Sequence, residues 1–210
     1  MDIRETIIEA ALKLLRKQGF GALSQPRIAA EAGVRQSHLT YYFPSRADML
    51  LAVADRSCEV LLEPLRERAR RGELTPDQIA DRLGAAVTDR GMARIFHTLV
   101  SVSEEDESLK PQMRRLQKDS VRDLQELFGG AGLDLSADDA LMMHALICGT
   151  STMFLSVCTP ASRSDARGVL RRAIAILAAR AAKLPSAPRS SRVRPAAPPL
   201  PSRARKARGK

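Results

Sequence analysis

Between Arg35 and Pro44 the chain gathers Arg35, Gln36, Ser37, His38, Thr40, Tyr41 and Tyr42 and not one carboxylate. Side chains that donate hydrogen bonds, with no acid among them, suit a surface lined by phosphate. Other chemistry is hard to assemble from this sequence. It has no G-x-G-x-x-G, G-K-[ST] or H-E-x-x-H motif, and its three histidines, His38, His97 and His144, are far apart. Cys58, Cys148 and Cys158 form no C-x-x-C pair and are odd in number, which argues against a disulfide framework or a zinc knuckle. They read as buried small hydrophobes. No catalytic residue, metal ligand or cofactor is assigned.

A second group of side chains could bind rather than react. His97 stands beside Phe96, and His144 beside Met143 and Cys148. With Met92, Phe96, Met113, Phe128, Met143, Ile147 and Phe154 as walls, they could line an apolar, adaptable cavity for a small-molecule effector. The plainer reading of each histidine is a core residue with its hydrogen bond satisfied.

Charge points to an anionic partner. Lys plus Arg number 34 against 24 Asp plus Glu, a net charge of +10. Residues 185–210 hold eight of those bases, six of the twelve prolines and no acid, leaving +2 for the first 184 residues. That tail has no apolar period and reads as a disordered arm that touches DNA without sequence preference, or as a solubilising appendage. No uninterrupted apolar run of 18 residues is present, and the N-terminal stretch carries acids where a secretory signal would be basic, so a soluble, cytoplasmic chain without a membrane segment is expected.

The elements that must position these groups are helices. Aromatic residues are only 3% of the chain, with no Trp, while Ala and Leu abound, so an all-α fold of about nine helices is expected. Ile3, Ile7, Ala10, Ala11 and Leu14 predict a first helix over about 2–18, stopped at Gly19. Ser24 and Pro26 open a short second helix over 25–32 that ends at Gly33, and a third runs from Arg35 to Tyr42. Ser45 with Asp48, Thr75 with Gln78, Ser136 with Asp139 and Ser162 with Asp165 each predict a capped helix start. The helix from Ser45 reaches Gly72 and could kink at Pro64. Further helices are expected over about 90–103 and from Ser108 to the Gly129-Gly130 pair.

The helix expected over about 137–158 is apolar on two sides, which predicts burial all round. Leu141, Ala145, Cys148, Gly149, Thr152 and Ser156 make a side of mostly small residues, suited to close approach by a second subunit; Met143, Leu146, Ile147, Thr150, Phe154 and Val157 make a bulky side for the chain's own core. A last helix, 163–184, brings Leu177 alongside to build an interchain four-helix bundle.

The second and third helices, joined through Gly33 and Val34, have the layout of a helix-turn-helix. Ile7, Ala10-Ala11, Leu14, Gly19, Leu23-Ser24, Ile28-Ala29, Ala32-Gly33-Val34, Leu39, Tyr41-Tyr42-Phe43, Ser45-Arg46 and Leu50 fall in register throughout. In these positions the first fifty residues resemble the TetR family of bacterial transcriptional regulators; the remainder matches in helix count and length alone. The resemblance implies a homodimer whose third helices enter the major groove of a palindromic double-stranded DNA operator. Gln36, Ser37 and His38 would then face base edges, Gln25, Arg27 and Arg35 bases or phosphates, and Tyr41 and Arg46 phosphates. Two positions depart from the pattern: Arg35 stands where the family usually has a capping Ser or Thr, and Thr40 where it usually has a phosphate-binding Tyr.

These readings divide the chain into a helix-turn-helix domain, 1–45, a ligand-binding and dimerisation domain, 46–184, and the basic tail. A repressor released by a small apolar effector is the expected function. The other class left open is an all-α enzyme or ligand carrier whose N-terminal helices only pack.

Overall fold

A computed structural model describes residues 2–183, so the tail expectation, 185–210, lies outside the described residues. Among the described residues there is no strand. Nine α-helices follow in order: α1 Ile3–Gln18, α2 Gln25–Ala32, α3 Gln36–Tyr42, α4 Arg46–Arg70, α5 Pro76–Val87, α6 Arg90–Glu105, α7 Lys110–Gly130, α8 Ala137–Val157 and α9 Pro160–Lys183.

The helix starts follow local chemistry. Ser45 and Thr75 form reciprocal boxes with Asp48 and Gln78, each hydroxyl accepting from the third helical N–H while that residue's side chain accepts from the cap N–H. Ser136 Oγ accepts from Asp139 N at 3.1 Å, and its hydroxyl donates to Asp139 Oδ2 at 2.7 Å. The fourth expected cap, Ser162 with Asp165, lies three residues too late. Thr159 caps α9, accepting from Ser162 N at 3.1 Å, while Ser162 Oγ accepts from Thr159 N at 3.0 Å. Ser162 is the third residue of that box, a place a hydroxyl fills as well as a carboxylate. Ser24 precedes α2 without a side-chain cap bond.

Pro64 does not break α4, and the reason is visible in α5. Proline removes the N–H that would serve the carbonyl four residues earlier, here Val60. The Arg82 guanidinium supplies it, donating from Nη2 to Val60 O at 3.2 Å and from Nε to Leu61 O at 3.0 Å. The Gly129-Gly130 pair does end α7, whose last residue is Gly130. Gly130 is helical and lets α7 approach α4, since a Cβ there would lie 2.6 Å from the Ala69 Cβ.

Two apolar clusters hold the fold. The first joins α1–α3 to Ala47 and Met49–Ala54 of α4 and to Ile95, Leu99 and Leu109. The second takes Leu62 and Leu65 of α4 with α5, the C-terminal part of α7, α8 and α9. The packing divide therefore falls inside α4, between Ala54 and Leu62, and not at residue 45. This one helix, roughly 37 Å long at 1.5 Å per residue, is common to both clusters.

Candidate nucleic-acid interface and unpartnered helix face

The α2–α3 turn is built around one left-handed glycine. Gly33 sits at φ 67°, ψ 27°, a region that costs most side chains, and the Val34 N–H returns to Ala29 O at 3.0 Å. Val34 then packs, half-buried, against the first cluster. On α3 the inner anchors are Leu39 and the following Phe43, both buried, and the Arg4 guanidinium stands 5.6 Å over the Phe43 ring.

Tyr42 is half-buried against the first cluster, and, Leu39 aside, the other α3 residues face outward. Arg35, Gln36, Ser37, His38, Thr40 and Tyr41 are all exposed, Tyr41 at 79%, with its ring edge-on to Tyr42 at 5.2 Å. Arg35 begins the helix with no side-chain cap, as its type requires. The Thr40 hydroxyl donates to Gln36 O at 3.0 Å and lies against its own helix. Arg46 is exposed at the start of α4, its guanidinium 5.6 Å over Phe20. Gln25 is half-buried at the head of α2, and exposed Arg27 donates to Gln18 Oε1. The structure thus brings the nine sequence-selected residues to one end of the molecule, on α2, α3 and the first residue of α4.

The α8 face is of the opposite kind. Leu141, Ala145, Cys148, Gly149, Thr152 and Ser156 are exposed, joined by Met142, Met153 at 65% and Val157. The spacing makes them one continuous stripe. Val169 and Ile176 of α9 are exposed as well. Burial all round is therefore not what the single chain has, and Val157, expected inside, lies outside. Leu177, expected at the subunit seam, is buried in the chain's own second cluster; Ile176, one residue earlier and turned by a helical step, takes the outward place. Among the described helices α8 alone is long and apolar enough to cross a membrane by length and composition, with a mean hydropathy of 1.6 and 22% of that window buried, contrary to the expectation drawn from uninterrupted runs. Its Ser and Thr residues interrupt a run without making the helix polar.

The proposed cavity walls do not converge. Met92, Phe96 and Met113 pack on the first cluster, while Met143, Ile147 and Phe154 belong with the second. Phe154 is fully buried under the Arg163 guanidinium, 5.0 Å from its ring centre. His97, half-buried, has its Nε2 3.0 Å from Thr152 Oγ1. The sequence could not reveal that α4 hands the core from one cluster to the other between these groups. At that divide Ser57 Oγ is buried with no hydrogen-bond partner, and the neighbouring Cys58 thiol is pushed up to about 12 by burial and then by Asp55, Asp123 and Glu59. Cys58 is thus protonated and inert. Cys148 is exposed, against the expectation of three buried thiols.

Residues 7–53 match the family profile described as bacterial regulatory proteins, tetR family. The TetR-family likeness in sequence lies in α1–α3 and the first part of α4. An HTH-type transcriptional regulator from the dhlA 5′ region of Xanthobacter autotrophicus is 26% identical over 122 residues, 55% of this chain and 60% of that protein. The regulator CymR of Pseudomonas putida is 26% identical over 147 residues, 67% of this chain and 71% of its own. The likeness thus spans less than two thirds of the first relative's length. The fold matches well beyond residue 53: the multidrug binding protein EbrR, complexed with imidazole, superposes with a TM-score of 0.54 at 23% identity, covering 81% of this chain and 88% of that one. The curated relatives named here are HTH-type transcriptional regulators.

Proposed function

We propose that this TetR-family regulator is a cytoplasmic homodimer that represses transcription from a palindromic operator and is released by a small, largely apolar effector. The observation that carries the DNA half of this reading is the outer face of α3, where Arg35, Gln36, Ser37, His38 and Tyr41 are all exposed with no carboxylate among them. Gln36, Ser37 and His38 read base edges; Arg35, Thr40, Tyr41 and Arg46, with Gln25 and Arg27, hold bases or phosphates. The dimer reading rests on α8. An apolar stripe of this length on a water-exposed helix calls for a cover, and its small residues Ala145, Cys148 and Gly149 suit the backbone of a second copy.

The effector is placed between the two clusters, at the level of Ser57. A ligand with one polar group would satisfy the orphan hydroxyl there and rest the remainder on apolar walls. Binding that shifts the second cluster against α4 would move the first cluster with it, because Met49–Ala54 are packed against α1–α3. EbrR has been solved with imidazole and with proflavin, which supports small-molecule binding by this fold.

A gel-shift titration tests the reading directly. Untagged full chain should retard the DNA upstream of its own gene at concentrations that leave a scrambled duplex of the same composition free. Equal retardation of both would leave the outer face of α3 without a reading role.

A further inference from the structure

At the exposed stripe of α8, half-buried His144 and exposed Cys148 make one pair of side chains already spaced as metal ligands. His144 and Cys148 are one helical turn apart, and His144 Nε2 lies 3.6 Å from Cys148 Sγ. In a tetrahedral zinc site, bonds of about 2.3 Å to sulfur and 2.0–2.1 Å to nitrogen separate those two ligand atoms by roughly 3.6 Å. The pair therefore stands at the distance of two corners of such a site. Two corners do not hold an ion, and among the described residues no group of three or more His, Cys, Asp or Glu gathers in one chain. The missing corners must come from outside the chain.

A second copy supplies them. Cys148 and Gly149 lie at the middle of the 21 residues of α8 and on its exposed stripe, where the dimer proposed above, on which this inference rests, would cross. A two-fold interface is isologous, so whatever one helix brings the other brings too. We infer that His144 and Cys148 of two copies form an intersubunit Cys2His2 site for zinc or a similar borderline divalent ion. Each thiol gives its proton to water as its sulfur binds, two protons for each ion taken up. The other thiols lie elsewhere: Cys58 is half-buried on α4, and the Cys158 thiol donates to Leu155 O at 3.2 Å.

Cobalt(II) titrated into the reduced, untagged full chain tests this, with sedimentation of the metal-free protein run beside it. The expected result is the intense visible absorption of tetrahedral cobalt with a thiolate charge-transfer band, saturating at one ion per two chains. Cys148→Ser and His144→Ala should each abolish it, while Cys158→Ser should keep it. A metal-free dimer that gives no such spectrum overturns the metal site and leaves the dimer standing. A monomer that gives none overturns both. Saturation at one ion per chain, or a spectrum that survives Cys148→Ser, also overturns the site.

Discussion

The outer faces of α3 and α8 are both open to water, and they differ in what water leaves unsatisfied. On α3 the exposed atoms are amide, hydroxyl, imidazole and guanidinium groups around one large ring, Tyr41, and water solvates them well. Such a face gains from a partner only by exchanging water for specific acceptors, which is how DNA is recognised. On α8 the exposed atoms are Leu141, Met142, Met153 and Val157 around small Ala, Cys and Gly, and water is a poor solvent for them. That face gains from any dry cover and from a close one most of all. Polarity therefore tells which partner each face awaits, and the same exposure has two meanings in one chain.

The contrast breaks most sharply at Gly149. Nothing lies within 4 Å of where its Cβ would be, so Gly149→Leu should leave the single chain folded. At a seam between two copies, overpacking costs about 1–3 kcal/mol per site and is felt twice. Sedimentation should find monomer at micromolar concentration with unchanged helix content; an intact dimer would move the interface off this stripe.

The α3 face should respond in a different currency. Gln36→Ala and His38→Ala should each cost about 1–3 kcal/mol of discrimination and change which bases are preferred, whereas Arg46→Ala should weaken all duplexes alike. Binding-site selection with each variant separates these outcomes. If both polar variants return the parental sequence profile, the reading surface lies elsewhere.

A smaller effect is expected at the divide between the clusters. A buried hydroxyl without a partner costs about 1–3 kcal/mol, so Ser57→Ala should raise the melting temperature of the free protein, by about 2–4 °C for 1 kcal/mol, while blunting release by effector. A lowered melting temperature would mean that Ser57 makes a bond in solution that keeps it structural.

Much of this was legible before any coordinates. Helical spacing and hydroxyl–carboxylate caps placed Ser45, Thr75 and Ser136, and the Gly33-Val34 turn located α2 and α3 to within a residue. What failed shares one cause: a sequence shows that a residue is apolar or small but not what covers it. Gly130 ends α7 as its type suggests, yet nothing local shows its close contact with Ala69; Leu177 and Ile176 look alike, yet one is inside and the other out. The cavity walls were chosen by residue type, and the structure divides them because α4 passes from one cluster to the other. The repair of Pro64 by Arg82, 18 positions away, leaves no local signal at all.

The smallest predicted effect is a pH dependence at Asp139. Its carboxyl is held below the usual range by the Ser136 hydroxyl first and by Arg180 next, against an opposing push from burial. A depressed carboxyl stabilises the fold above about pH 4 and loses that contribution as pH falls through its lowered native value. Asp139→Asn should therefore cost about 0.3–1 kcal/mol near neutrality, and the gap from the parent should close as pH drops below about 4. A gap that stays constant across that range would assign the loss to packing.

The central claim is that two α3 faces, carried by a dimer seamed along α8, read one operator. Selection from a randomised duplex pool, followed by footprinting on the winning sequence, tests it most directly. The account predicts an inverted repeat with two protected major-groove segments whose centres are about 34–36 Å apart, or a multiple of that spacing. A single half-site, or a pool that emerges without a sequence preference, would contradict it.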